Sequence, residues 1–120
     1  MELKIHIEKE ILIAELVSND IEIKNVQDAL DLMANADYLG ARKIIIHKKN
    51  IIPGFFDLKT RLAGDILQKF SNYQVSLAII GNFSDVTSKS LRDFIFESNK
   101  GDRVLFQSSS SDAIARWASN

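Results

Sequence analysis

The sequence predicts an α/β fold: a mixed, mainly parallel five-stranded sheet with four helices on its faces, in the order β-β-α-β-α-β-α-β-α. Three observations predict it. The run Lys43-Ile44-Ile45-Ile46-His47 is continuously β-branched and bounded by turn residues, as in a parallel strand covered on both faces. An irregular loop from Lys48 to Phe56 follows it, with the only proline at Pro53. Beyond lies an amphipathic helix with Leu58, Leu62, Ile66 and Phe70 on one stripe and Ala63 and Leu67 beside it. After an opening hairpin, each strand is followed by a helix long enough to cross over, which demands parallel pairing.

The elements follow in order. Leu3, Ile5 and Ile7 alternate with Lys4, His6 and Glu8, the period of a half-buried strand. Glu8-Lys9-Glu10 makes a tight connection to a second strand, Ile11 to Val17, its hairpin partner. Asn25 caps a helix with Asp28 in capping-box register, and Val26, Ala29, Leu30, Met33 and Ala34 form its apolar face. This helix ends near Ala36, with Gly40 in the turn. After the central unit, Gln74 to Ile80 is a strand closing at Gly81. Ser84 or Asp85 caps a third helix carrying Leu91, Phe94, Ile95 and Ser98 on one face. Asn99-Lys100-Gly101 ends it, with the glycine in the left-handed position. Arg103 to Gln107 is the last strand, and Ser111 or Asp112 caps a final helix with Ala113, Ile114 and Trp117.

Composition narrows the function. At 120 residues, 46% hydrophobic and 26% charged, the chain is sized for one domain, residues 1–120, with one core. A net charge of −1 supplies no bulk field for nucleic acid or an anionic membrane. The apolar runs are too short for a membrane span, and Met1-Glu2-Leu3-Lys4 enters a strand pattern without a signal-peptide layout, so a cytoplasmic location is expected. With no cysteine and only two histidines, His6 and His47, at no metal-ligand spacing, no metal, no cofactor and no catalytic residue is expected. Phosphate-loop, dinucleotide and nucleophile-elbow patterns are missing.

The order of elements, with the glycine-ended strand Leu77-Ala78-Ile79-Ile80-Gly81 and a closing Ser-x-x-Asp-Ala-Ile helix, resembles the anti-sigma-factor antagonist (STAS) and related SpoIIAA-like fold. Four segments carry a more specific resemblance across the chain: 28–34 (Asp-Ala-Leu-Asp-Leu-Met-Ala), 55–70, 87–95 (Thr-Ser-Lys-Ser-Leu-Arg-Asp-Phe-Ile) and 97–101 (Glu-Ser-Asn-Lys-Gly). They look like an uncharacterised bacterial family, domain of unknown function 4180, which implies a small stand-alone protein and brings no activity with it. Where the STAS antagonists present a phosphorylatable serine, this chain reads Asp57-Leu58-Lys59-Thr60-Arg61. Asp57 and Thr60 there read as helix caps, and Asp57 and Arg61 as an i,i+4 pair.

Two modes of action follow. The first is a non-enzymatic regulatory or protein-binding module of STAS-like type. It would act on a protein partner or a second copy through an aromatic surface of Phe55, Phe56, Phe83, Phe96 and Trp117, although core packing is the default for most aromatics. The alternative is a binder of, or enzyme on, a small anionic metabolite held at the carboxyl ends of the third and fourth strands. Lys59 falls within the apolar sector of its helix, leaning over the strand ends. With Lys48, Asn82, Ser84 and Lys89 it forms the candidate anion site. The basic segment Arg42, Lys43, His47, Lys48 and Lys49 reads as solvated charge flanking a buried strand.

Overall fold

The computed structural model describes residues 1–119. The strands are β1 (Glu2–Glu8), β2 (Ile11–Val17), β3 (Lys43–His47), β4 (Ser76–Ile80) and β5 (Val104–Gln107). The helices are α1 (Val26–Tyr38), α2 (Leu62–Asn72), α3 (Lys89–Ser98) and α4 (Ser110–Ala118). The five strands lie side by side in chain order, β1 antiparallel to β2 and β2 to β5 parallel, so the sheet is mixed as expected.

Each crossover steps to the next strand in the same direction, and right-handed crossovers that all step one way deliver their helices to one face. Accordingly α1, α2 and α3 pack against Ala14, Leu16, Ile44, Ile46, Leu77 and Ile79. After β5 there is no further strand to reach. α4 folds back over the opposite face and closes it with Trp117 and Ala113 on Ile13, Ile45, Ala78 and Leu105. One helix cannot cover five strands, so this second face keeps polar positions on β1 and β2, among them Lys4, His6 and Glu15.

Local chemistry sets the element ends. The Asn25 side chain accepts the Asp28 amide at 2.8 Å, and Asp28 reaches back to the Lys24 amide at 2.9 Å. The α2 start differs from the sequence expectation. Residues Leu58–Thr60 form a 3-10 turn that ends at Arg61 (φ 64°), and α2 begins at Leu62. Thr60 accounts for the break: its hydroxyl donates to the carbonyls of Gly54 (2.8 Å) and Asp57 (2.9 Å) and accepts the Leu62 amide (3.2 Å). The helical i,i+4 relation of Asp57 to Arg61 therefore does not exist.

Two more caps move. Ser84 donates both its amide and its hydroxyl to the Asn82 side chain, so it is spent in an Asx turn, and Ser88 caps α3 instead. Ser109 caps α4. The only glycine with positive φ among the described residues is Gly40 (φ 86°), so Gly101 does not take the expected left-handed form. Instead Arg116 of α4 donates to the carbonyls of Asn99 (2.8 Å) and Gly101 (2.9 Å), satisfying the end of α3 from across the fold.

The β1–β2 hairpin turns through Lys9 (φ 49°) and Glu10 (φ 70°), two left-handed residues in a setting that favours Asn-Gly. Left-handed backbone costs side-chain-bearing residues about 1–2 kcal/mol each. The double replacement Lys9→Asn, Glu10→Gly is expected to raise stability by about 1–2 kcal/mol, read as a higher urea midpoint with unchanged slope.

Candidate functional site

Parallel strands bring their carboxyl ends, and the loops that follow them, to one rim. The loops after β3 and β4 meet there: Lys48 Nζ lies 3.4 Å from the Asn82 carbonyl, and the Phe56 and Phe83 rings are 6.2 Å apart. Between these loops and the start of α4 is an open cleft of about 720 Å³, lined by His47, Gly81, Asn82, Phe83, Ser84 and Ser108 to Ser110 among others. That volume suits a small ligand. Gly81 is required at its place, because a Cβ there would stand 2.8 Å from Lys48 Cβ.

The polar centre behind the cleft is Glu15, on the α4 face of β2. Lys4 pairs with Glu15 and Ile13 with His6, so the His6 ring is a diagonal neighbour of the carboxylate. Glu15 also pairs with Ile45, two residues before His47 on the same face of β3. Register alone thus gathers both histidines of the chain around one carboxylate. His6 Nε2 lies 2.7 Å from Oε1, and His47 Nε2 lies 2.7 Å from Oε2. The Ser110 hydroxyl, at the start of α4, donates to Oε2 at 2.8 Å.

The Glu15 side chain is only 13% exposed. Burial pushes its carboxyl up, but the donors from His47, Ser110 and His6, with the charge of His47, together bring it below the usual carboxylate range. An ionised carboxylate only accepts, so both rings must carry their proton on Nε2. His47 Nδ1 makes no hydrogen bond among the described residues, and it is the ring atom left to meet a ligand at the cleft. No cluster among the described residues has the geometry to hold a metal ion.

Because the folded state lowers the Glu15 pKa, its contribution is fully present above the unfolded carboxylate range and is lost as pH falls through the folded value. Glu15→Gln should therefore destabilise the protein at neutral pH by about 1–3 kcal/mol. It should also flatten the acid limb of the stability–pH curve. Parallel limbs for wild type and variant, measured by urea unfolding across acid pH, would contradict this.

The residues singled out from sequence are distributed unevenly. Asn82 and Ser84 line the cleft. Lys48 does not line the cleft but sits behind its Phe83 side, its ammonium 5.2 Å from the Phe83 ring centroid and 5.7 Å from that of Phe56. Lys89 pairs with Asp93 at 2.6 Å on exposed helix surface, and Lys59 sits exposed in the 3-10 turn ahead of α2; neither lines the cleft. Of the aromatics, Phe55 and Trp117 are core residues, because the 3-10 turn Pro53–Phe56 folds Phe55 inward and Trp117 seals α4 to the sheet. Phe56 and Phe83 are half-buried in a chain of ring contacts that runs on through Phe106 to Phe94. Phe96 alone is well exposed, at 64%, with Lys100 Nζ 4.8 Å from its ring centroid.

Sequence reasoning missed the Glu15 cluster. The available signal was a lone carboxylate inside the otherwise apolar strand Ile11 to Val17, which has to find donors on whichever strands flank it.

No helix among the described residues is long and apolar enough to cross a membrane. Neither a curated protein nor a solved structure matches the chain. The profile of one family, a domain of unknown function termed DUF4180, matches residues 8–117, and the chain belongs to that family.

Proposed function

We propose that this protein is a non-enzymatic binding module whose rim cleft takes a small ligand with an anionic head group. The observation that carries the proposal is the pre-set His47 ring. A buried carboxylate shared with His6 and Ser110 holds it at the edge of a ligand-sized cleft. The Asn82 and Ser84 side chains and the serines at the start of α4 add hydrogen-bonding groups around the same opening, and the Phe83 and Phe106 rings offer an apolar wall. On this reading Lys59 and Lys89 stand outside the site.

A thermal-shift screen with small carboxylates and phosphate esters tests it. At least one is expected to stabilise the wild type. His47→Ala should weaken that ligand about tenfold or more, because the anion is held by a second proton that the ring takes up on Nδ1 when the ligand binds, while Lys59→Ala leaves it unchanged. No stabilisation by any anion, or equal losses in the two variants, overturns the proposal.

A regulatory contact with a protein partner or a second copy is the other reading, and exposed Phe96 supports it. Phe96→Asp is then expected to abolish partner capture or self-association in sedimentation; wild type and variant behaving alike would end that reading.

A further inference from the structure

The opposite rim, at the amino ends of the parallel strands, carries a separate arrangement. Lys43 opens β3 and pairs with Ser76, which opens β4. Leu77 pairs with Val104, so Arg103 falls beside Ser76. Strand alternation places Lys43 with Ile45, Ser76 with Ala78 and Arg103 with Leu105, all on the α4 face. The three side chains form a row across three strands, and with Arg42, Gln74 and Glu10 they line a depression of about 410 Å³.

Counter-charge beside this row is incomplete: Glu10 lines the same depression but forms no ion pair with Lys43 or Arg103 among the described residues. Two further carboxylates are engaged elsewhere: Asp102 takes Arg116 Nε at 3.2 Å, and Asp37 takes Arg42 at 3.3 Å. Neither Lys43 nor Arg103 forms an ion pair among the described residues. Lys43 Nζ instead lies 5.4 Å from the Trp117 ring centroid. Burial pushes its pKa down and the Arg103 charge pushes it further, with Asp102 opposing in part. Ser76 opens β4 at the depression, and its hydroxyl is not taken by another side chain among the described residues. Backbone pairing therefore holds two like charges close together beside a free hydroxyl. A bound anion would offset the repulsion and accept from the hydroxyl.

We propose that Lys43, Ser76 and Arg103 form a binding site for a phosphate group, on the rim opposite the cleft and independent of it. A tetrahedral, doubly charged oxyanion matches a lysine point charge, an arginine fork and a hydroxyl better than a planar carboxylate does.

Titration with inorganic phosphate at constant ionic strength, followed by amide NMR, tests the site. Saturable shifts are expected at residues 42–43, 76 and 103. Arg103→Ala should weaken binding about tenfold or more, and Ser76→Ala by less, with both folds intact in the same spectra. Lys59→Ala, outside both sites, should leave binding unchanged. A phosphate monoester is expected to compete for the same site. Phosphate should also slow acylation of the Lys43 amine by restoring its proton. Non-saturable shifts, undiminished binding in Arg103→Ala, shifts confined to residues 108–111, a monoester that does not compete, or an unaltered Lys43 acylation rate each overturn the proposal.

Discussion

Trp117→Ala is expected to lower folding stability by about 3–5 kcal/mol, the range for a large aromatic removed from a closed core. Trp117 is fully buried, and its indole N–H donates to the Asp102 carbonyl at 3.0 Å. α4 buries only one other side chain, Ala113, and Ile114 is half-buried. Truncation thus leaves a nine-residue helix with little apolar surface on the sheet, and exposes Ile13, Ile45 and Leu105 beneath it. The loss is a large share of the roughly 5–15 kcal/mol that holds a domain folded. It should reach the site as well, because α4 carries Ser110 against Glu15. Urea unfolding gives the first effect, and faster amide exchange through 110–118 gives the second. A loss below about 1 kcal/mol would mean that α4 is not held by this residue.

Asn50→Asp should be comparably damaging, by about 3–5 kcal/mol at neutral pH, the scale of an uncompensated buried charge. Asn50 is wholly buried in the loop after β3. Its carboxamide N–H groups donate to the Ser18 and Asp20 carbonyls, each at 2.9 Å, and its backbone carbonyl accepts the amides of Glu22 (2.8 Å) and Ile23 (3.0 Å). The residue stitches the β2–α1 connection to the β3 rim, where Ile23 bridges Ile51. Its Oδ1 has no partner among the described residues, so the amide is already short of one bond. An aspartate would lose both donors and aim a carboxylate oxygen at two carbonyl oxygens. The buried acid favours its neutral form, so its folded pKa lies above the unfolded value. Its stability is then greatest below the unfolded carboxylate range and falls as pH rises, the reverse of Glu15. Urea midpoints should show the variant closest to wild type below about pH 4. A deficit that does not change with pH would contradict this.

How far the fold was legible depended on whether one stretch of chain carried the signal. Alternation along β1, the β-branched run 43–47 and the cap at Asn25 are local, and the structure has each element where the pattern puts it, although Ile7 at the hairpin end of β1 is exposed rather than half-buried. The ends of α2, α3 and α4 were less legible. Around α3 and α4 several adjacent residues offer equivalent caps, namely Ser84, Asp85 and Ser88, then Ser109 to Asp112. Which one caps depends on which hydroxyl another bond has taken, as Asn82 takes Ser84. The α2 start turned on Thr60 bonding back to Gly54, and no periodicity reveals such a bond.

The candidate site was legible in place and not in content. Parallel crossovers imply that the loops after β3 and β4 share a rim, and they do. Glu15, His6, His47 and Ser110 come from four separate elements, and only the pairing register of β1 to β3 with the return of α4 brings them together. Lysines stand out in a sequence because they carry charge in any setting. The residue that organises the rim is a carboxylate inside a strand, and its importance appears only once its neighbours are known.

The Glu15 carboxylate holds both imidazoles by Nε2–H, which leaves His47 Nδ1 for a ligand. Long-range ¹H–¹⁵N NMR of the imidazole rings at neutral pH tests it most directly. The predicted spectrum shows a proton on Nε2 of both rings, and Glu15→Gln releases that preference at His47. A wild-type spectrum with His47 protonated on Nδ1 and bare at Nε2, or a tautomer mixture that Glu15→Gln leaves unchanged, would contradict it.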